Sequence, residues 1–93
     1  MNARDLNALI RVESGGDIYA MSPTGPMGIM QLSHWIYGPN EYGGSVNPFD
    51  PKQAIDRGAK YLADLIQKYD GNKRLAFTAY NQGETKVNRA LRE

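Results

Sequence analysis

The stretch from residue 50 to residue 69, DPKQAIDRGAKYLADLIQKY, decides the fold. It opens with a helix start. Asp50 stands at the N-cap, Pro51 at the first helical position, where its missing N–H costs nothing, and Gln53 at the capping-box position. Behind them Ile55, Ala59, Leu62, Leu65, Ile66 and Tyr69 recur at helical intervals and share one apolar face. Asp70-Gly71-Asn72 ends the run. That turn lacks the further acids and closing glutamate of a calcium loop and reads as a helix stop.

Outward from this helix the same period returns. Toward the C-terminus, Leu75 to Tyr80 begins another helix, Asn81-Gln82-Gly83 interrupts it, and a last short helix carries Val87, Ala90 and Leu91. Toward the N-terminus, residues 38 to 50 are rich in Gly, Pro and Asn and predict a loop, of a length that in a small domain is often functional. Before it, Pro26 follows the turn residues Ser22-Pro23-Thr24-Gly25 and predicts a helix from about Pro26 to Tyr37, with Ile29, Leu32 and Ile36 inward. Residues 3 to 14 form a first amphipathic helix closed by Gly15-Gly16. No segment alternates as a strand does. The expectation is an all-α fold, four or five short helices in one domain over residues 1–93.

Composition narrows the function. Hydrophobic residues make up 41% and charged residues 23% of the 93, an ordinary globular balance with no run of apolar residues long enough for a membrane span. Eleven Lys and Arg face ten Asp and Glu, and they are scattered along the chain, which argues against nucleic acid as partner. There is no cysteine and a single histidine, His34, read as a surface imidazole without companions for a metal site. Catalysis, if present, rests on carboxylates. The N-terminus carries no signal peptide, so export is expected by another route or after processing.

One carboxylate stands out. Leu6, Leu9, Ile10 and Glu13 follow the i, i+3, i+4, i+7 pattern of one helix face, so Glu13 falls on the apolar stripe at the helix C-terminus. Apolar neighbours and the negative end of the helix dipole both favour its protonated form. A protonated carboxyl in a cleft is what breaking a glycosidic bond requires, because the leaving oxygen must gain a proton. Periodicity alone is equally met by a helix-end glutamate turned to solvent.

The company Glu13 keeps adds a resemblance. Glu13-Ser14-Gly15, then Ser22-Pro23-Thr24-Gly25-Pro26-Met27-Gly28-Ile29-Met30-Gln31-Leu32, Asn47-Pro48-Phe49-Asp50-Pro51, Gly58-Ala59-Lys60-Tyr61-Leu62 and Ala79-Tyr80-Asn81-Gln82-Gly83 follow the order of the soluble lytic transglycosylase domain, over roughly residues 5 to 88. The resemblance implies a lysozyme-like helical fold that cleaves the MurNAc–GlcNAc bond of peptidoglycan without water, leaving 1,6-anhydroMurNAc ends and using no metal or organic cofactor. It implies that Glu13 is the single acid and base. It implies substrate-binding roles for Ser22, which would orient the sugar, for Gly28, Met30 and Gln31 along the cleft, and for Tyr80 and Asn81, the tyrosine hydroxyl lying close to the glutamate. Read without it, Ser22 is a turn residue, Gly28 permits close backbone approach, Met30 is core and Gln31 is a solvent-facing helix residue. Trp35, Tyr37 and Tyr42 could stack on pyranose rings near the Gly-rich loop, or simply pack.

Departures are visible too. Gln82 replaces the usual alanine, Ser33 stands where some members have methionine, and no Glu-Thr-Arg-x-Tyr-Val element follows. The Asn-Gln-Gly-Glu form of the late motif resembles domains carried in phage particles, which implies a larger phage or secretion assembly acting at the periplasm or cell wall. Two other readings stay open. A goose-type-like muramidase would need a second carboxylate to hold water, with Asp17, Asp50 and Asp64 available; a non-catalytic glycan-binding module would bind strands without cutting.

Overall fold

The computed structural model describes residues 2–92. It is all-α, with helices α1 (Ala3–Glu13), α2 (His34–Tyr37), α3 (Pro51–Lys68), α4 (Lys73–Gln82) and α5 (Glu84–Arg92). Among the described residues there is no strand, only isolated β-bridges. No described helix is long and apolar enough to cross a membrane. The chain packs as two compact units, and the division falls inside α3, between Tyr61 and Leu62.

In the first unit α1 starts on a capping box: the Asp5 N–H donates to Asn2 Oδ1 at 3.0 Å and the Asn2 N–H to Asp5 Oδ2 at 3.4 Å. Two orphan donors at the helix start are thereby met. The apolar stripe read from the sequence turns inward, with Leu9 buried and Leu6, Ile10 and Glu13 half-buried. Gly15 takes a positive φ of 63°, and its N–H closes the helix end on Ile10 O and Arg11 O. Leu9, Met30, Leu32, Ile36, Ala54 and Tyr61 are the buried apolar residues of this unit.

The helix expected from Pro26 to Tyr37 is corrected. Only its last turn, α2, is helical, and residues 20–32 instead fold as two successive tight turns joined by the bridges Met21–Met27 and Met27–Leu32. Gly28 at φ 82° and Gln31 at φ 47° are incompatible with helix, while the Met27 N–H donates to Leu32 O and the Leu32 N–H to Met27 O. The apolar spacing misled because Leu32 and Ile36 are buried and Ile29 half-buried, as they would be on one helix face.

At the α3 start Asp50 caps as expected, accepting from the Gln53 N–H at 3.1 Å. Gln53 does not close the box on the backbone of Asp50. Its Nε2 donates to the Asp50 carboxylate and its Oε1 accepts from the Asn47 N–H, so it ties α3 to the preceding loop. In the second unit Leu62, Leu65, Ala76, Ala79 and Val87 are buried, and α4 packs on α5. The Asn72 side chain caps α4 through the Leu75 N–H, and Lys68 and Tyr69 reach α5 through Glu84 and Asn88.

Candidate active site

Glu13 is the last residue of α1 and half-buried, and the residue after it fixes where that helix end lies. The Ser14 hydroxyl donates to Ile29 O at 2.7 Å, with a longer contact of 3.2 Å to Ile10 O, and its oxygen accepts the Gly16 N–H at 3.1 Å. Ser14 thus pins the glutamate-bearing helix end to the tip of the 20–32 turn. Of the residues that position the site, Ser14 is the one periodicity could not reveal, since a serine beside a helix-stopping glycine pair reads as an ordinary cap.

The turn is itself braced by the residues the resemblance singled out. Gln31 Nε2 donates to Ala20 O at 3.2 Å and Gly28 O at 3.0 Å, and the Gly28 N–H donates to the same Ala20 O at 2.7 Å. Because both side-chain contacts are to carbonyl acceptors, the amide nitrogen must face them, which leaves the Oε1 of this half-buried residue as the acceptor a ligand could meet. Gln31 is therefore not the solvent-facing helix residue of the alternative reading. Ser22 is half-buried; its N–H closes the turn on Pro26 O, and its Oγ lies 2.9 Å from Thr24 Oγ1.

Gly28 and Met30 sit beneath this surface. A Cβ on Gly28 would stand 1.8 Å from Pro48 O, so the close approach it permits is to backbone. Met30 is 0% exposed and packs within its unit. Both residues are buried and are built into the turn.

A second brace went unnoticed in the sequence. Arg57 is only 3% exposed, yet its guanidinium has no carboxylate partner among the described residues; it donates to Ile36 O at 2.9 Å, Gly38 O at 3.0 Å and Gly44 O. Three carbonyl dipoles take the place of a counter-ion, and the Gly-rich loop is clipped down at its start and its middle. The signal was present, because Arg57 lies on the same face as Ala54, Gly58 and Tyr61, where a charge needs a reason. His34 is exposed, as expected, with its ring edge-on to Tyr37 at 5.3 Å.

Tyr80 and Asn81 belong to the second unit, in the last turn of α4, with Tyr80 half-buried and Asn81 exposed. Of the other acids, Asp50 is committed to the α3 cap and Asp17 is exposed, accepting the Tyr19 N–H at 2.9 Å within a turn. Neither Asp17 nor Asp50 stands as an unassigned base.

Comparison with known proteins bears on all of this. A family model described as Transglycosylase SLT domain matches residues 1–93. The chain is 39% identical to membrane-bound lytic murein transglycosylase F of Pseudoalteromonas translucida (strain TAC 125), over 94% of this chain and 19% of that protein. It is 36% identical to peptidoglycan transglycosylase gp16 of Escherichia phage T7, over 73% of this chain and 6% of that protein. It is 30% identical to the soluble lytic murein transglycosylase of Salmonella typhimurium, over 86% of this chain and 14% of that protein. The chain thus spans less than a fifth of the length of each. No solved structure matches it significantly. With its helical architecture and a family model that runs from the first residue to the last, the chain belongs to the transglycosylase SLT domain family.

Proposed function

We propose that residues 1–93 work as one domain that cleaves the MurNAc–GlcNAc β-1,4 bond of peptidoglycan by intramolecular transglycosylation, with Glu13 as acid and then base. The observation that carries the reading is the Ser14–Ile29 hydrogen bond of 2.7 Å, which holds the Glu13 helix end against the turn bearing Ser22 and Gln31. Neutral Glu13 donates its proton to the glycosidic oxygen as the bond from that oxygen to the MurNAc anomeric carbon breaks. The carboxylate so formed takes the proton from the MurNAc 6-hydroxyl while that oxygen bonds to the anomeric carbon. The 1,6-anhydro ring forms, Glu13 ends protonated again, and no water is consumed.

Ser22 and the Gln31 Oε1 offer hydroxyl and carbonyl groups suited to sugar hydroxyls and the N-acetyl N–H. For Tyr80 and Asn81 the support is their motif. The family model and the relatives named as lytic murein transglycosylases support this chemistry over a muramidase, which needs a second carboxylate to hold water. The phage relative supports use of such a domain in a virion-borne machine at the cell wall. The test is muropeptide release from sacculi: Glu13→Gln is expected to abolish it with fold and glycan binding retained, and an unaltered rate would refute the role.

A further inference from the structure

Trp35 is the only tryptophan of the chain and is 58% exposed, on the single turn of α2. Val12, Tyr19, Met21 and Leu91 are as exposed or more so, but Trp35 alone of these five rests on a buried aromatic ring. The indole is also fixed. It meets Tyr61 at 5.2 Å with ring planes at 84°, and Tyr61, 5% exposed, is the floor beneath it. Tyr42 lies on the same floor, 6.4 Å from Tyr61 and tilted by 60°. One side chain ties exposed Trp35 and half-buried Tyr42 together through their backbones: Asn40 Nδ2 donates to Trp35 O at 2.8 Å and Ile36 O at 3.0 Å, and its Oδ1 accepts the Tyr42 N–H at 2.8 Å. Arg57 holds the carbonyls of Ile36, Gly38 and Gly44 on either side of this clip.

An edge-on contact uses one face or one edge of the indole, so at least one face is not covered by Tyr61. We propose that Trp35, with Tyr42 beside it, is a stacking subsite for a pyranose ring of the glycan strand, outside the bond that is cut. A β-1,4-linked GlcNAc or MurNAc ring carries its substituents equatorially and so presents flat C–H faces to an aromatic ring. Its hydroxyls lie at the edges, and His34 and Glu41, next to Trp35 and Tyr42 in the chain, are exposed polar residues. The anchoring by Asn40 and Arg57 lowers the cost of ordering on binding. In the chain, Trp35 comes three residues after Leu32, at the base of the turn whose tip Ser14 pins to the end of α1. The identity of the ligand rests on the function proposed above; the fixed aromatic shelf does not.

The sole indole makes the test direct. Chitotetraose, a soluble β-1,4 GlcNAc oligomer, is titrated into the Glu13→Gln chain with indole emission and calorimetry followed in parallel. A saturable emission change, protection of Trp35 from a soluble quencher, and binding weakened about five- to tenfold in Trp35→Ala but nearly retained in Trp35→Tyr are expected. Circular dichroism melts confirm that both variants fold. Calorimetric binding with unmoved emission would overturn the subsite, as would no binding at all, or a concentration-dependent dimer, seen by sedimentation, that Trp35→Ala abolishes. The two readings fail separately: Glu13-dependent release with a silent indole leaves the catalytic reading standing and removes this one, and Glu13-independent release with a responsive indole does the reverse.

Discussion

Gly28→Ala separates packing from substrate contact at a position the family motif marks. Gly28 sits at φ 82°, where an L-residue costs about 1–2 kcal/mol. The added Cβ would lie 1.8 Å from Pro48 O and 2.8 Å from Pro48 C, against the 3.0 Å that real Cβ atoms respect. Pro48 cannot retreat freely. It is buried, and its neighbours are tied by the Asn47 N–H to Gln53 and the Phe49 N–H to Asn47. Forcing such a contact open costs about 1–3 kcal/mol more, so the substitution is expected to destabilise by about 2–5 kcal/mol in all. A chain of this size has a total stability of about 5–14 kcal/mol, so the melting temperature should fall by roughly 8–40 °C. Gly71→Ala is the matched control: its φ is 84° but nothing lies within 4 Å of its Cβ, so only the backbone penalty applies. Thermal melts by circular dichroism, with KM for sacculi measured below the transition, make the comparison. Equal melting points for the two variants would refute the packing argument, and an unchanged melt with raised KM would return Gly28 to the substrate.

Other outcomes follow from the same contacts. Ser14→Ala is expected to lose about 1 kcal/mol of stability and to lower kcat about tenfold with KM little changed, because the helix end bearing Glu13 is no longer pinned; Ser14→Thr should recover part of the loss, and an unchanged kcat would contradict the clamp. In urea unfolding, Arg57→Met is expected to cost about 3 kcal/mol by leaving three carbonyls without their donor, and Arg57→Lys should rescue it only in part, since an ammonium cannot span all three; a neutral Arg57→Met would show that the clip is dispensable. The Lys68–Glu84 hydrogen bond at 2.8 Å holds the Lys68 pKa above its ordinary 10.5. Its contribution is therefore present at neutral pH and lost as pH rises through that raised value. Lys68 is half-exposed, so Lys68→Ala should cost less than about 1 kcal/mol at pH 7, a difference that closes in strong alkali; a gap that persists there would assign the effect to packing.

What could be read from the sequence divides along physical lines. The helices of residues 3–14 and 50–69 were legible because amphipathic period and end signals agreed, down to Asp50 as cap and Asp70-Gly71-Asn72 as stop. The 26–37 helix failed because Ile29, Leu32 and Ile36 keep helical spacing while Gly28 and Gln31 take positive φ, and periodicity is blind to backbone sign. Glu13 was placed on its half-buried face correctly. Ser14 and Asn40 were not legible as braces, because they act on backbone carbonyls contributed by other segments, which carry no sequence signature, whereas Arg57 left a signal as a charge on the apolar face of α3. Met30 and Gly28, marked by motif as cleft residues, are both buried in the turn, which spacing alone did not show.

In the proposed mechanism Glu13 alone, acting twice, converts a glycosidic bond into an anhydro ring. The decisive measurement is mass spectrometry of the products released from purified sacculi, with Glu13→Gln run beside the unaltered chain. Muropeptides ending in 1,6-anhydroMurNAc are expected from the unaltered chain and none from the variant. Products with reducing ends, or release that survives the substitution, would contradict it.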